Sequence, residues 1–162
     1  MAWIIGVLKR KERVNEMVTT CGAYIIYNEL ILIVHSTGQP MNVWGIPKGL
    51  IDGVETPEDT MYREVFEETN IVLADYRHKL IDLGTVKYKH KHKTLHGFIV
   101  ILDEWDYADV YCSSTYSTKE GIIRPEVDAF VWLPVEAGIS YLHYTQKRLF
   151  NENKKKFERF LT

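Results

Sequence analysis

Gly49-Leu50-Ile51-Asp52-Gly53-Val54-Glu55-Thr56-Pro57-Glu58-Asp59-Thr60-Met61-Tyr62-Arg63-Glu64-Val65-Phe66-Glu67-Glu68-Thr69-Asn70-Ile71 is the stretch on which the reading of this chain turns. Thr56 is an N-cap residue, Pro57 suits the first helical position, and Glu58 and Asp59 complement the positive end of a helix dipole. A helix is therefore expected from Thr56 to about Thr69. At about 100° per residue, Glu64, Glu67 and Glu68 fall within one arc. Met61, Tyr62, Val65, Phe66 and Thr69 occupy the neighbouring arc, so the helix can bury an apolar stripe and keep its acids at the edge. A merely solvated acidic face would interleave Lys or Arg, and this arc contains none. Like charges so spaced repel by about 0.2–0.5 kcal/mol per pair, a cost that a divalent cation removes. Oxygen donors without cysteine favour a hard ion, Mg²⁺ or Mn²⁺, and such ions point towards phosphoryl chemistry.

Working outward, Trp44 to Glu55 holds three glycines and a proline, as expected of a tight loop whose exposed backbone can lend a carbonyl to a metal. Strands are expected at Gly22 to Tyr27, Leu30 to His35, Leu80 to Val86, Leu95 to Leu102 and Ala129 to Leu133. Asn28-Glu29 suggests a hairpin between the first two. A second helix is expected over roughly Tyr144 to Leu161, with Leu149, Phe150, Phe157, Phe160 and Leu161 on its apolar side. The pattern is that of a mixed α/β fold. The chain has 162 residues, 46% of them hydrophobic, and no repeat or linker, which suits a single domain over 1–162. A net charge of −2 excludes a global positive field for nucleic acid or membrane, so polyanion binding must be local. The apolar run Ala2 to Leu8 is too short to span a membrane, and Cys21 and Cys112 lack metal-site or disulfide spacing. A soluble cytoplasmic protein with two ordinary thiols is expected.

Gly49, Glu55, Arg63, Glu64, Val65, Glu67, Glu68 and Ile71 match the Nudix box in type and spacing, and the chain thereby resembles the Nudix hydrolase family. One departure is Asn70, which stands where the family usually has glycine after the last acid. Asparagine is the next most tolerant residue for a left-handed helix end. The resemblance implies an α/β/α sandwich with a mixed central sheet and a magnesium- or manganese-dependent pyrophosphohydrolase. It implies Glu64, Glu67 and Glu68 as metal ligands, the Lys48 carbonyl as a further ligand, and Arg63 and Glu55 as the residues that position them.

Three features bear on the substrate. Trp44-Gly45-Ile46-Pro47-Lys48-Gly49 resembles the entry to the box in dinucleoside polyphosphate and diphosphoinositol polyphosphate hydrolases, and Lys48 could meet a phosphate. Arg124 to Trp132 is similar to a Pro-Glu-Phe-Asp pattern in RNA 5′-pyrophosphohydrolases, which implies Glu126 as a late metal ligand or base, with Glu120 its competitor. Lys87-Tyr88-Lys89-His90-Lys91-His92-Lys93 alternates bases with rings. In an extended strand Lys87, Lys89, Lys91 and Lys93 would share one face, able to bind a phosphate chain with His92, or simply to protect a solvated edge. The expected reaction is attack of water on a nucleoside polyphosphate, most readily a dinucleoside polyphosphate or a 5′-triphosphorylated RNA end, with Glu64 and Glu126 both open as the base. A diphosphoinositol substrate and a catalytically silent nucleotide-binding sensor are the alternatives.

Overall fold

The computed structural model describes residues 17–90 and 92–161. Ala2 to Leu8 and Lys91 lie outside the described residues. The chain opens with β1 (Val18–Tyr27) and β2 (Leu30–Ser36), joined by Asn28 and Glu29, both at positive φ. Two consecutive left-handed residues make the mirror-image turn whose twist matches a hairpin. β3 (Lys48–Leu50) follows, then α1 (Pro57–Thr69), β4 (His78–Lys87) and β5 (Lys93–Leu102). After a short hairpin of β6 (Thr115–Ser117) and β7 (Ile123–Pro125) come β8 (Val127–Pro134), α2 (Val135–Ser140), α3 (Tyr144–Glu152) and α4 (Lys154–Phe157).

The main sheet runs β4-β5-β1-β2-β8. β1 pairs parallel with β5, and the other pairings are antiparallel, so the sheet is mixed. The second edge of β1 is divided: its first half pairs with β3, through Cys21 and Gly49, and its last residues pair with β2. That division brings the glycine-rich loop to the middle of the sheet. Alternate residues of β1 enter opposite cores, as a strand period of two requires. Tyr24 and Ile26 join Ile31, Ile99, Leu149 and Phe157 under the C-terminal helices, whereas Ala23 and Ile25 join Met61, Val65 and Phe98 under α1. A strand buried on both faces must be apolar throughout, which is why Ala23 to Ile26 shows no polar alternation. The result is a three-layer α/β/α fold.

Two expectations are corrected. The segment Tyr144 to Leu161 is not one helix: it breaks at Asn153, whose side chain donates to the Leu149 carbonyl, and ends in a 3-10 turn at Glu158–Phe160. Asparagine offers the backbone a competing partner. The bend sets Phe150 and Phe157 edge to face, with centroids 4.8 Å apart. The Lys87 to Lys93 stretch is not an extended strand either. β4 stops at Lys87, β5 starts at Lys93, and Tyr88 N–H is bonded to the Lys93 carbonyl. Lys87 and Lys93 therefore stand on two different strands, with Lys89 on neither.

His35 fixes the loop after β2. Its Nδ1–H meets Asp128 Oδ1 at 2.6 Å, and Nε2 faces the carbonyls of Gln39 and Pro40 at 3.1 Å. Every partner is an acceptor, so only the doubly protonated ring satisfies all of them. Its pKa is raised above 6.5, first by the Asp128 hydrogen bond. The stabilisation is complete below about pH 6.5 and is lost as pH rises through the folded value. His35→Gln is expected to cost about 1–3 kcal/mol at low pH. Thermal melts compared across the pH range should show the gap between parent and variant narrowing in alkali; a gap independent of pH would contradict the imidazolium clamp.

Candidate active site

The capping box of α1 is complete: Thr56 Oγ1 accepts from Asp59 N–H, and Asp59 Oδ2 accepts from Thr56 N–H. A cap of this kind contributes about 1 kcal/mol and fixes where the helix begins, hence which residues face the sheet. Met61, Val65 and Thr69 pack inward on β1, and this roll carries Glu64 and Glu68 with them. Both are only 7% exposed, while Glu67 is half-buried. Glu68 Oε2 accepts the Lys48 backbone N–H at 3.1 Å. At Gly49 any side chain would collide with the Glu64 carboxylate, so the glycine is there for room. At the helix end Asn70 adopts φ 63°, the left-handed state foreseen for it, and caps the Phe66 carbonyl.

Arg63 organises the acids. Nε and Nη2 bind the Glu55 carboxylate at 2.8 and 3.0 Å, Nη2 also reaches the Leu50 carbonyl, and Nη1 bridges Glu64 at 2.7 Å and Glu67 at 3.1 Å. The Arg63 hydrogen bonds, with Asp52 N–H next, hold Glu55 down to about 2. Burial pushes Glu68 up to about 8, against the opposing charge and N–H of Lys48, and Glu64 and Glu126 push it the same way. Burial also raises Glu64, opposed by Arg63 and reinforced by Glu67 and Glu126. Cys21 lies beneath and is raised to about 11, chiefly by burial, so it stays a thiol and not a nucleophile.

Glu126 sits between β7 and β8, exposed, with its charge felt by Glu64 and Glu68 although it comes from a distant part of the chain. Glu120 is at the exposed tip of the β6–β7 hairpin, and neither raised carboxyl feels it. Lys48 and Glu68 line a cavity of about 290 Å³ together with Trp44, Tyr88, Lys93 and His143. Its floor is tied down where Trp44 N–H donates to the Tyr141 carbonyl, His143 N–H to the Trp44 carbonyl, and Ile46 N–H to Gln146 Oε1. Among the described residues of the basic stretch, Tyr88 and Lys93 line it. Lys87 and His92 are exposed, and Lys89 lies over the Tyr144 ring. Lys93 was expected only as part of the phosphate-binding lysine face, whereas Tyr88, His143 and Gln146 were not foreseen as site residues; the last two come from the start of α3, and no spacing in the chain points there.

Among the described residues no three His, Cys, Asp or Glu side chains are already gathered so as to hold an ion. Arg63 keeps Glu64 and Glu67 to itself. The donor chemistry nevertheless fits a hard divalent cation: the groups are carboxylates, two are buried, and burial alone disfavours their charged form.

The model of the NUDIX domain matches residues 18–159. The chain belongs to the NUDIX family. An uncharacterised 17.7 kDa protein of Enterobacteria phage T4 is 32% identical over 101 residues, which span 60% of this chain and 66% of the phage protein. An RNA pyrophosphohydrolase of Baumannia cicadellinicola is 28% identical over 73% of this chain and 77% of its own. Among solved structures, an Ap4A hydrolase binary complex from C. elegans superposes with a TM-score of 0.61 at 19% identity, covering 87% of this NUDIX chain and 98% of the other. At that identity the likeness is one of fold.

Gly49→Ala separates fold from chemistry in this NUDIX domain. The clash is with the far end of a movable side chain, so stability should change by less than about 1 kcal/mol, while displacement of Glu64 should cut turnover by roughly 100-fold. Melting and turnover measured on the same preparation check this, and near-parental turnover would show that Glu64 needs no such space.

Proposed function

We propose that this NUDIX domain, spanning 1–162, hydrolyses a phosphoanhydride bond in a nucleoside polyphosphate, most directly a dinucleoside polyphosphate or a 5′-triphosphorylated RNA end, in the cytoplasm. The observation that carries this reading is the pair of buried carboxylates, Glu64 lodged against Gly49 where no side chain intervenes and Glu68 lining a cavity that also presents Lys48. The names of the relatives, an RNA pyrophosphohydrolase and an Ap4A hydrolase, support the same class of substrate.

Glu64, Glu67 and Glu68, with the Lys48 peptide beside them, are the groups that would hold Mg²⁺ or Mn²⁺. The bound ions supply neutralisation of phosphate charge and a more acidic water. The residues of the chain do the rest. Arg63 orients Glu64 and Glu67, and Glu55 in turn holds Arg63, so the acids meet the substrate already placed. Lys48 and Lys93 bring positive charge to the cavity, where Trp44, Tyr88 and His143 offer rings for a nucleobase. Glu64, raised by burial, and Glu126, exposed opposite, remain the two groups able to accept the proton of the attacking water. The diphosphoinositol alternative loses its main argument, since Lys87 and Lys93 lie on different strands and Lys89 on neither.

The test is a product-resolved assay with Mg²⁺ and with Mn²⁺ over diadenosine polyphosphates, triphosphorylated RNA, nucleoside triphosphates, ADP-ribose and diphosphoinositols. Cleavage of the first two classes, lost by about 100-fold or more in Glu67→Gln and Glu68→Gln with the fold retained, is the expected result. Turnover unaffected by either change at saturating metal would remove the metal-binding helix from the mechanism. Glu126→Gln should lower kcat more than it alters KM, and Glu120→Gln should do less; the reverse order would transfer the role to Glu120.

A further inference from the structure

The last carbonyls of a helix have no partner within it and must find one outside. Asn70 N–H takes the Phe66 carbonyl, which leaves those of Glu67, Glu68 and Thr69. Segment 111–114 meets two of them, Glu67 and Thr69. Tyr111 N–H donates to the Thr69 carbonyl at 3.2 Å, and Ser113 N–H, Ser113 Oγ and Ser114 N–H converge on the Glu67 carbonyl at 2.8, 3.1 and 3.2 Å. The segment is thus held by the same helical turn that carries Glu67 and Glu68. From there Ser114 turns to Glu126. The Ser114 carbonyl accepts the Glu126 N–H at 3.0 Å and is also approached by Cys112 Sγ at 3.3 Å, and Ser114 Oγ donates to Glu126 Oε2 at 3.3 Å. On its other side, the Glu126 carbonyl accepts the Thr37 N–H, so both flanks of its backbone are anchored.

We propose that Ser114 is a positioning residue: it holds the Glu126 carboxylate towards Glu64 and Glu68, and it does so from the C-terminal turn of α1, so that the late acid is indexed to the helix that bears the others. Without such a tie an exposed glutamate samples several rotamers, and mutual repulsion drives it away from the two buried acids. The backbone bonds place the residue, and the hydroxyl selects where its side chain points. This rests on the reading of Glu126 as part of the site.

The experiment compares Ser114→Ala, Ser114→Thr, Glu126→Gln and the double variant Ser114→Ala/Glu126→Gln in the full chain. Ser114→Ala should lower kcat by about tenfold with KM changed less than twofold, and weaken Mn²⁺ binding, followed by electron paramagnetic resonance without substrate, by a similar factor. Ser114→Thr keeps the hydroxyl and should restore both. The double variant should be no worse than Glu126→Gln, because the hydroxyl acts only through that carboxylate. Melting temperatures should stay together, which separates positioning from support of the fold. Parental kcat and Mn²⁺ affinity in Ser114→Ala, or losses that simply add in the double variant, would overturn the inference. If Glu126→Gln is silent while Glu67→Gln is inactive, the Glu126 reading falls and the role of Ser114 with it, although the pyrophosphohydrolase reading stands. If no phosphoanhydride is cleaved at all, the Mn²⁺ measurement still decides the case for Ser114.

Discussion

The Arg63 guanidinium has five N–H bonds and uses them on Glu55, Glu64, Glu67 and the Leu50 carbonyl. One planar group therefore sets the distance between the loop and the helix and the direction of two carboxylates. Lysine could not do this, because a point charge on a flexible stem has no fork. The arrangement also makes Arg63 a rival for the acids it orients: any cation binding Glu64 and Glu67 would have to draw them away from it, whereas among the described residues Glu68 accepts a hydrogen bond only from the Lys48 N–H and has the charge that burial disfavours most. Glu68 is thus the carboxylate with the most to gain from a cation, and Glu55, already held low by Arg63, the one with the least.

Around this ion-pair network, the divided edge of β1 does the spatial work. Because β2 pairs only with its end, the first half of the strand is free to receive β3, and the loop backbone comes to lie directly against α1. Gly22 is as necessary as Gly49 here, since a side chain on it would run into the Pro47 carbonyl and the Lys48 stem. The acids, the loop and the cavity are consequences of the same gap in the strand pairing.

Much of this was legible from local chemistry. The α1 boundaries follow from Thr56, Pro57 and the shift to apolar residues, and the five long strands follow from runs too apolar to be surface loops, each extended in the fold by one to four residues through ladder pairing that no single strand encodes. What escaped was decided at a distance. β3 is three residues long and exists only because β1 has an open edge there. The end of β4 at Lys87 breaks an alternation that looks like a strand, because the β4–β5 register, with Lys87 opposite Thr94, has to close. His143 and Gln146 enter the site through the packing of α3 against the Trp44 loop, and Ser113 and Ser114 through the unmet carbonyls of α1. Asp128 belongs to a motif that suggested chemistry, and its partner is the structural His35.

The parallel pairing of β1 with β5 sets how this molecule must come together. Cys21 lies beside His96, with the whole acidic helix in the loop that this contact closes. The entropy of closing so long a loop has to be met before β1 and β5 are rewarded with the hydrogen bonds between them, which places this pairing among the slower, non-local class. On a ribosome, the acids of α1 emerge before the strand that completes the surface beneath them, so until β5 is synthesised Met61 and Val65 have no finished surface on which to bury and the acidic cluster has no lasting form.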